Sequence, residues 1–243
     1  MDIVSAKLLP IDDIFDNVWL NSRPALSYAL GKNQKYIEEV NAWLGFFQQK
    51  GWLDAKLIKR LQSANTWSSY YSKINELRAG YFFEKKLNLI LSEYEVQTVG
   101  DKNVEFKSRR DDVDIFIEVK TPLHFLKKEI GWINIKGPWK KGDIIYEIYD
   151  CLDKAVMQLP NNSPTIVVLS DDLNVSLLDC PQHILNHIWT AFNSSEYMKV
   201  SVVCILGNIY HEDMYKMLWA SNCNAKYQID KAIFDGFNKI YQL

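Results

Sequence analysis

Glu118 and Lys120, separated by one valine, end a run that alternates with a period of two: Val113-Asp114-Ile115-Phe116-Ile117-Glu118-Val119-Lys120. Successive side chains of a strand point to opposite faces. Val113, Ile115, Ile117 and Val119 therefore share an aliphatic face, and Asp114, Phe116, Glu118 and Lys120 share the other. The surrounding pattern predicts cover on both faces. Charges placed there need partners or a metal ion, because burying an unpaired charge is costly.

The neighbouring strand supplies the partner. Asp111-Asp112 suits a two-residue hairpin turn. That turn pairs Arg110 with Val113, Arg109 with Asp114, Lys107 with Phe116 and Glu105 with Glu118. Directly opposed residues lie about 5 Å apart. Two carboxylates at that separation repel unless a cation lies between them, and a hard divalent ion such as Mg²⁺ takes oxygen ligands of this kind. Lys120, about 6–7 Å further along the same face, can orient water and offset phosphate charge. Asp114 lies about 13 Å from Glu118 along an extended strand. It faces Arg109 in this register and reads as a structural partner.

The elements that must position these groups follow from periodicity. Residues 1–62 read as a helical N-terminal extension, with Tyr36, Ile37, Val40, Trp43, Leu44 and Phe47 at helical spacing and a shorter helix after the break at Gly51. Residues 63–243 read as the main domain. It opens with a long helix from about Thr66 to Ser92, capped by Asn65 or Thr66 and broadly apolar, as for a helix buried against a sheet. The period then changes to two in three short strands, 94–99, 103–107 and 113–120, which predict an antiparallel meander. A helix over 143–159, a buried strand over 165–169, a helix over 181–192 and a buried strand over 200–206 follow, and the remainder from His211 reads as mostly helix. The order predicts an α/β (α+β) fold with a mixed central sheet flanked by helices.

At this point the residues resemble the PD-(D/E)XK, or restriction-endonuclease-like, nuclease superfamily. The resemblance covers about residues 66–170 and is most specific in Ile117-Glu118-Val119-Lys120-Thr121-Pro122. In that superfamily a helix is followed by three antiparallel strands, a helix and a strand. The second strand brings an acidic ligand, the third brings Glu-x-Lys, and the first helix often adds a Glu. Glu76 in Asn75-Glu76-Leu77-Arg78-Ala79-Gly80 fits the helix position, and Gln158 resembles a Gln often seen on the helix after the motif. The second strand usually offers Asp, often after Pro, whereas this chain has Val104-Glu105-Phe106.

The resemblance implies Mg²⁺-dependent hydrolysis of a phosphodiester, with Mn²⁺ as a substitute and DNA as the expected nucleic acid. Glu105 and Glu118 would hold the ion, Glu76 a second ion or a metal-bound water, and Lys120 would position the nucleophile, with Gln158 beside it. A homodimer is compatible with such a core. The alternative is a catalytically inactive module of the same fold that binds nucleic acid or a protein partner.

Composition narrows the setting. In 243 residues, 48% are hydrophobic and 13% aromatic, enough for a packed core, and a net charge of −2 gives no overall attraction to polyanions. A nucleic-acid contact must then be local. Lys127, Lys128, Lys136, Lys140 and Lys141, interleaved with Trp132 and Trp139, form a basic segment suited either to phosphate contact and stacking or to a solvated loop. Cys151, Cys180, Cys204 and Cys223 lack zinc-site spacing, and His183 with His187 lacks the acidic neighbour of a zinc hydrolase. Free thiols and the absence of a long apolar run lead us to expect a cytoplasmic protein with no membrane segment.

Overall fold

The computed structural model describes residues 14–15, 34–64, 66–98, 100–122, 141–171, 181–209 and 214–234. The basic segment over 123–140, most of residues 1–33, Asn65, His124, Cys180 and His211 lie outside the described residues.

Three helices come first: α1 (Gln34–Gln49), α2 (Ala55–Ser63) and α3 (Trp67–Lys85). The strands β1 (Leu91–Gln97), β2 (Asn103–Arg110) and β3 (Val113–Lys120) follow, then α4 (Lys141–Val156), β4 (Thr165–Asp171), α5 (Pro181–Phe192), β5 (Val202–Ile209) and β6 (Met214–Ser221). Short 3-10 turns occupy Ser195–Tyr197 and Lys231–Phe234. The six strands form one mixed sheet in chain order, β1 to β6. β1, β2 and β3 are antiparallel, β3, β4 and β5 are parallel, and β6 returns antiparallel to β5.

The sheet divides two apolar layers. Ile115, Ile117, Val119, Ile166, Val168 and Cys204 pack with α1, α2 and α3 on one face. Val167, Leu169, Val203 and Ile205 pack with α4 and α5 on the other. Both faces of β4 and β5 are thus covered, which is why they read as continuous apolar runs. β3 has the aliphatic face expected of it, and its second face carries the charges.

The turn into β3 is as expected. Asp111 and Asp112 have φ of 49° and 63°, the left-handed pair of a type I′ turn. The ladder then pairs Arg110 with Val113, Arg109 with Asp114 and Lys107 with Phe116. Asp114 takes its charge partner diagonally, from Lys107 at 3.2 Å, while Arg109 turns to Asp112 at 3.1 Å. This corrects the expected Arg109–Asp114 pair: being opposed in the ladder does not force two long side chains to meet.

Two elements also differ from expectation. The long helix stops at Lys85 rather than Ser92. Asn88, at φ 53°, ends the turn after it, and Leu89 and Leu91 are buried as the chain extends into β1. Beyond residue 211, Met214–Ser221 is a strand, not a helix. Met, Leu and Ala favour helices intrinsically, but pairing with β5 overrides that preference, with Met217 and Leu218 on opposite faces.

α3 is the helix against which the site is built. Thr66 caps it, accepting from the Ser69 amide at 3.1 Å, and Ser69 returns the bond to the Thr66 amide. Buried Asn75 donates to Thr121 Oγ1 (3.0 Å) and to the Ser170 carbonyl (2.8 Å), and buried Arg78 donates to Ser170 Oγ (2.8 Å) and the Leu206 carbonyl (3.2 Å). These bonds fix α3 across the C-terminal ends of β3, β4 and β5.

One turn on, Gly80 admits the Phe106 ring of β2: a Cβ there would lie 2.8 Å from its Cζ and 3.2 Å from the Phe47 ring. Gly80→Val should therefore destabilise the protein by on the order of 2 kcal/mol, through overpacking that exceeds any gain in helix propensity. A denaturation midpoint equal to or above that of the parent would show that Phe106 is not held this tightly.

Candidate active site at the β2–β3 fork

With a two-residue turn, hydrogen-bonded pairs in the β2–β3 ladder alternate. They fall at 110/113, 108/115 and 106/117, and the next would be Val104 with Val119. The ladder stops at Phe106 opposite Ile117. The Val119 amide instead donates to Glu105 Oε2 at 2.8 Å. β2 has peeled from β3, and a carboxylate occupies the place of a backbone carbonyl. The expected pairing of Glu105 directly opposite Glu118 is thus replaced by a fork, with both carboxyls inside it.

Glu118 is fully buried. Its Oε1 accepts from Lys120 Nζ, and its Oε2 is buried with no donor among the described residues. Glu105 and Glu118 are within hydrogen-bonding reach of each other. Two ionised carboxylates share no hydrogen, so either one carries a proton or a cation lies between them. Burial, and then the Glu118 charge, hold Glu105 well above the usual carboxylate range. Burial raises Glu118 too, against the opposing pull of Glu105 and Lys120.

Lys120 and Gln158 meet as expected: Lys120 Nζ donates to Gln158 Oε1 at 2.6 Å. Burial alone would lower the Lys120 ammonium, but the Glu118 and Glu105 carboxylates outweigh it and keep it raised. Gln158 lies just past α4 rather than on it. Its Nε2 donates to the Asn103 carbonyl at 2.8 Å, and its own carbonyl accepts from Thr98 Oγ1.

Glu76 is buried on α3, beside Glu105. Lys73 Nζ donates to Oε1 at 2.6 Å and Tyr94 OH to Oε2 at 3.2 Å. Burial, reinforced by Glu105, pushes its carboxyl up to about 7 despite Lys73. Tyr94 was not among the expected site residues. Its position in β1, opposite Phe106, was the available signal.

Glu76, Glu105 and Lys120 line two openings. One is a cleft of about 580 Å³ that also takes in Arg60, Lys73, Lys102 and Lys154. The other, of about 240 Å³, adds Thr121, Glu147, Asp150 and Cys151. Glu95 and Asp101 line the first opening as well, so its rim is of mixed charge.

Among the described residues no three carboxylate, imidazole or thiol groups converge closely enough to enclose a metal ion. Mg²⁺ does not need such a cage, since it commonly keeps several waters and takes one or two carboxylates. The donorless Oε2 of Glu118 beside Glu105 fits that requirement. The Cys151 and Cys204 thiols are free and buried, as expected, and burial pushes the Cys151 thiol up to about 12. His183 and His187 lie on α5, with ring centroids 4.8 Å apart, and belong to neither opening.

No family model matches the chain. No curated protein matches it. Among solved structures it is similar to Pyrococcus furiosus SfsA in complex with Ca²⁺, with 11% identity and a TM-score of 0.27. The match covers 65% of this chain and 65% of that one, just under two thirds of its length. A likeness at this level does not extend to the site. No helix among the described residues is long and apolar enough to cross a membrane.

The raised carboxyls make stability depend on pH in a definite direction. A carboxyl whose folded value exceeds its unfolded one favours the folded state while protonated. Its contribution is complete below about pH 4.5 and is lost as pH rises through about 7. For Glu76 the difference corresponds to roughly 3 kcal/mol. With divalent ions chelated, urea midpoints should fall from pH 5 to pH 8, Glu76→Gln should flatten the fall, and Mg²⁺ should recover stability at pH 8. A profile that is flat in the parent protein would contradict the buried carboxyl cluster.

Proposed function

We propose that this chain is a Mg²⁺-dependent nuclease of the PD-(D/E)XK type, hydrolysing phosphodiester bonds in nucleic acid, with DNA as the assigned substrate. The observation that carries this reading is the pairing of half-buried Glu105 with fully buried Glu118 in the forked ladder, with Lys120 bonded to Glu118. Glu105 and Glu118 would hold the ion, and Glu76 a metal-bound water or a second ion. When bound, the ion would lower the pKa of a water and offset charge on the phosphate.

The protein's own groups do the rest. Lys120, held between Glu118 Oε1 and Gln158 Oε1, presents an ammonium of fixed position to the attacking water or a phosphate oxygen. Gln158 gives that ammonium a second acceptor, and its own amide is anchored to the Asn103 carbonyl. Lys73 and Tyr94 hold Glu76 by both oxygens, so its carboxylate meets the cleft in one orientation. Lys102, at the rim of the cleft, is a cation for a flanking phosphate, while Arg60 and Lys154 are paired with Glu95 and Asp150.

Cleavage of plasmid and linear DNA in Mg²⁺ or Mn²⁺ tests the reading. Glu118→Ala and Lys120→Ala should each lower the rate at least a hundredfold, while Cys223→Ser, at an exposed thiol, leaves it unchanged. Cleavage that persists in both site variants sinks the proposal. One observation favours a second reading, a binding module without catalysis: Glu105 Oε2 is already committed to the Val119 amide, which leaves this longer side chain a single open oxygen. Calorimetry separates the two. The nuclease reading expects Mn²⁺ binding that is lost in Glu105→Ala, and the binding-module reading expects none in the parent.

A further inference from the structure

The fork has a cause on the strand beyond it. Along β1, Tyr94 packs on the α3 side of the sheet, yet Val96, two residues on, packs on the α4 side. Along β2, Phe106 and Val104 change sides in the same way. Regular strands do not do this, since residues i and i+2 share a face. Tyr94 pairs with Phe106 and Val96 with Val104, so both changes fall at the opposed residues Glu95 and Glu105. Glu95 has a φ of 53°, a left-handed backbone rarely adopted by a long side chain in a strand. Beyond this point Val96, Gln97 and Thr98 stay paired with Val104, Asn103 and Lys102 while the hairpin leaves β3.

The bend is held on both sides. Lys56 Nζ and Arg60, both on α2, grip the Glu95 carboxylate, the former at 2.9 Å. The opposite side of the tip is tied to Gln158 through Asn103 and Thr98. We infer that Glu95 is a positioning residue. Its left-handed backbone swings the β1–β2 tip off β3, which frees the Val119 amide and brings the Glu105 carboxylate onto it beside Glu118. In a flat hairpin the Val104 carbonyl would take that amide, and Glu105 would stand in an ordinary ladder. The inference rests on the reading of Glu105 and Glu118 as a cation site only where metal binding is the readout.

Two readouts on the full chain test it: Mn²⁺ affinity by calorimetry, and hydrogen exchange of the Val119 amide without metal. Glycine and asparagine tolerate positive φ and valine resists it. Glu95→Gly and Glu95→Asn should bind Mn²⁺ within threefold of the parent and protect the Val119 amide alike. Glu95→Val should lose at least tenfold in Mn²⁺ affinity and exchange Val119 at least tenfold more slowly, since the Val104 carbonyl then takes that amide in the ladder, with its circular dichroism retained. If Glu95→Val does not fold, Glu95→Ala is read in its place, with the same direction expected. Parent-like binding and protection in the valine or alanine variant would overturn the inference. Equal loss in the glycine and valine variants would also overturn it, by assigning the effect to the Lys56 and Arg60 ion pairs. A parent protein that binds no Mn²⁺ defeats the cation-site reading instead, and Val119 exchange then decides the hinge alone.

Discussion

A carboxylate that takes the place of a carbonyl governs the site. In an unbroken ladder the Val119 amide belongs to the backbone of the next strand, and a buried amide left without an acceptor is costly. Here Glu105 supplies the acceptor from its side chain, so β2 can leave β3 without orphaning that donor. The same bond fixes where the carboxylate lies. Space for a ligand opens at the point where the sheet's hydrogen bonding has been handed to a titratable group. The other arrangements around the site depend on this exchange: Glu118 without a donor at Oε2, Lys120 drawn toward it, and Gln158 holding the ammonium from the far side.

Such a fork would be unstable on a soft support. α3 provides a stiff one. Asn75 and Arg78, buried and bonded to the ends of β3, β4 and β5, flank Glu76 in sequence, so the helix cannot rotate without breaking several internal hydrogen bonds. One turn later the missing side chain of Gly80 lets the Phe106 ring sit against the helix, which fixes β2 one residue from Glu105. The charged groups are thus positioned by neutral polar and aromatic packing, and their mutual repulsion is left for a proton or a cation to relieve.

Much of this was legible in the chain. The period-two run over 113–120, the turn at Asp111-Asp112 and the buried runs in β4 and β5 are local patterns, and local patterns determine local structure. Glu118, Lys120 and Gln158 came together because the order of elements constrains the topology. Three things were not legible. The register predicted a Glu105–Glu118 pair but not the fork, because a left-handed glutamate carries no composition signal of the kind glycine does. Tyr94 holds Glu76 from another element, and no spacing along the chain reports that. β6 was read as helix because its residues are good helix formers, and only the exposed edge of β5 makes them a strand.

β3 belongs to two sheets in one: antiparallel to β2 before it, parallel to β4 after it. All five candidate residues, Glu76 to Gln158, precede β4, yet β4 is what secures the far side of the strand that carries Glu118 and Lys120. During synthesis the helix and meander can form from near neighbours, whereas the parallel pairing must wait for residues 165–171, about fifty positions beyond the strand they join. Glu76, Glu105, Glu118 and Lys120 therefore precede in the chain the strand that aligns them, and Gln158 comes just ahead of it. The charged cluster is therefore aligned only once the strand beyond it has paired.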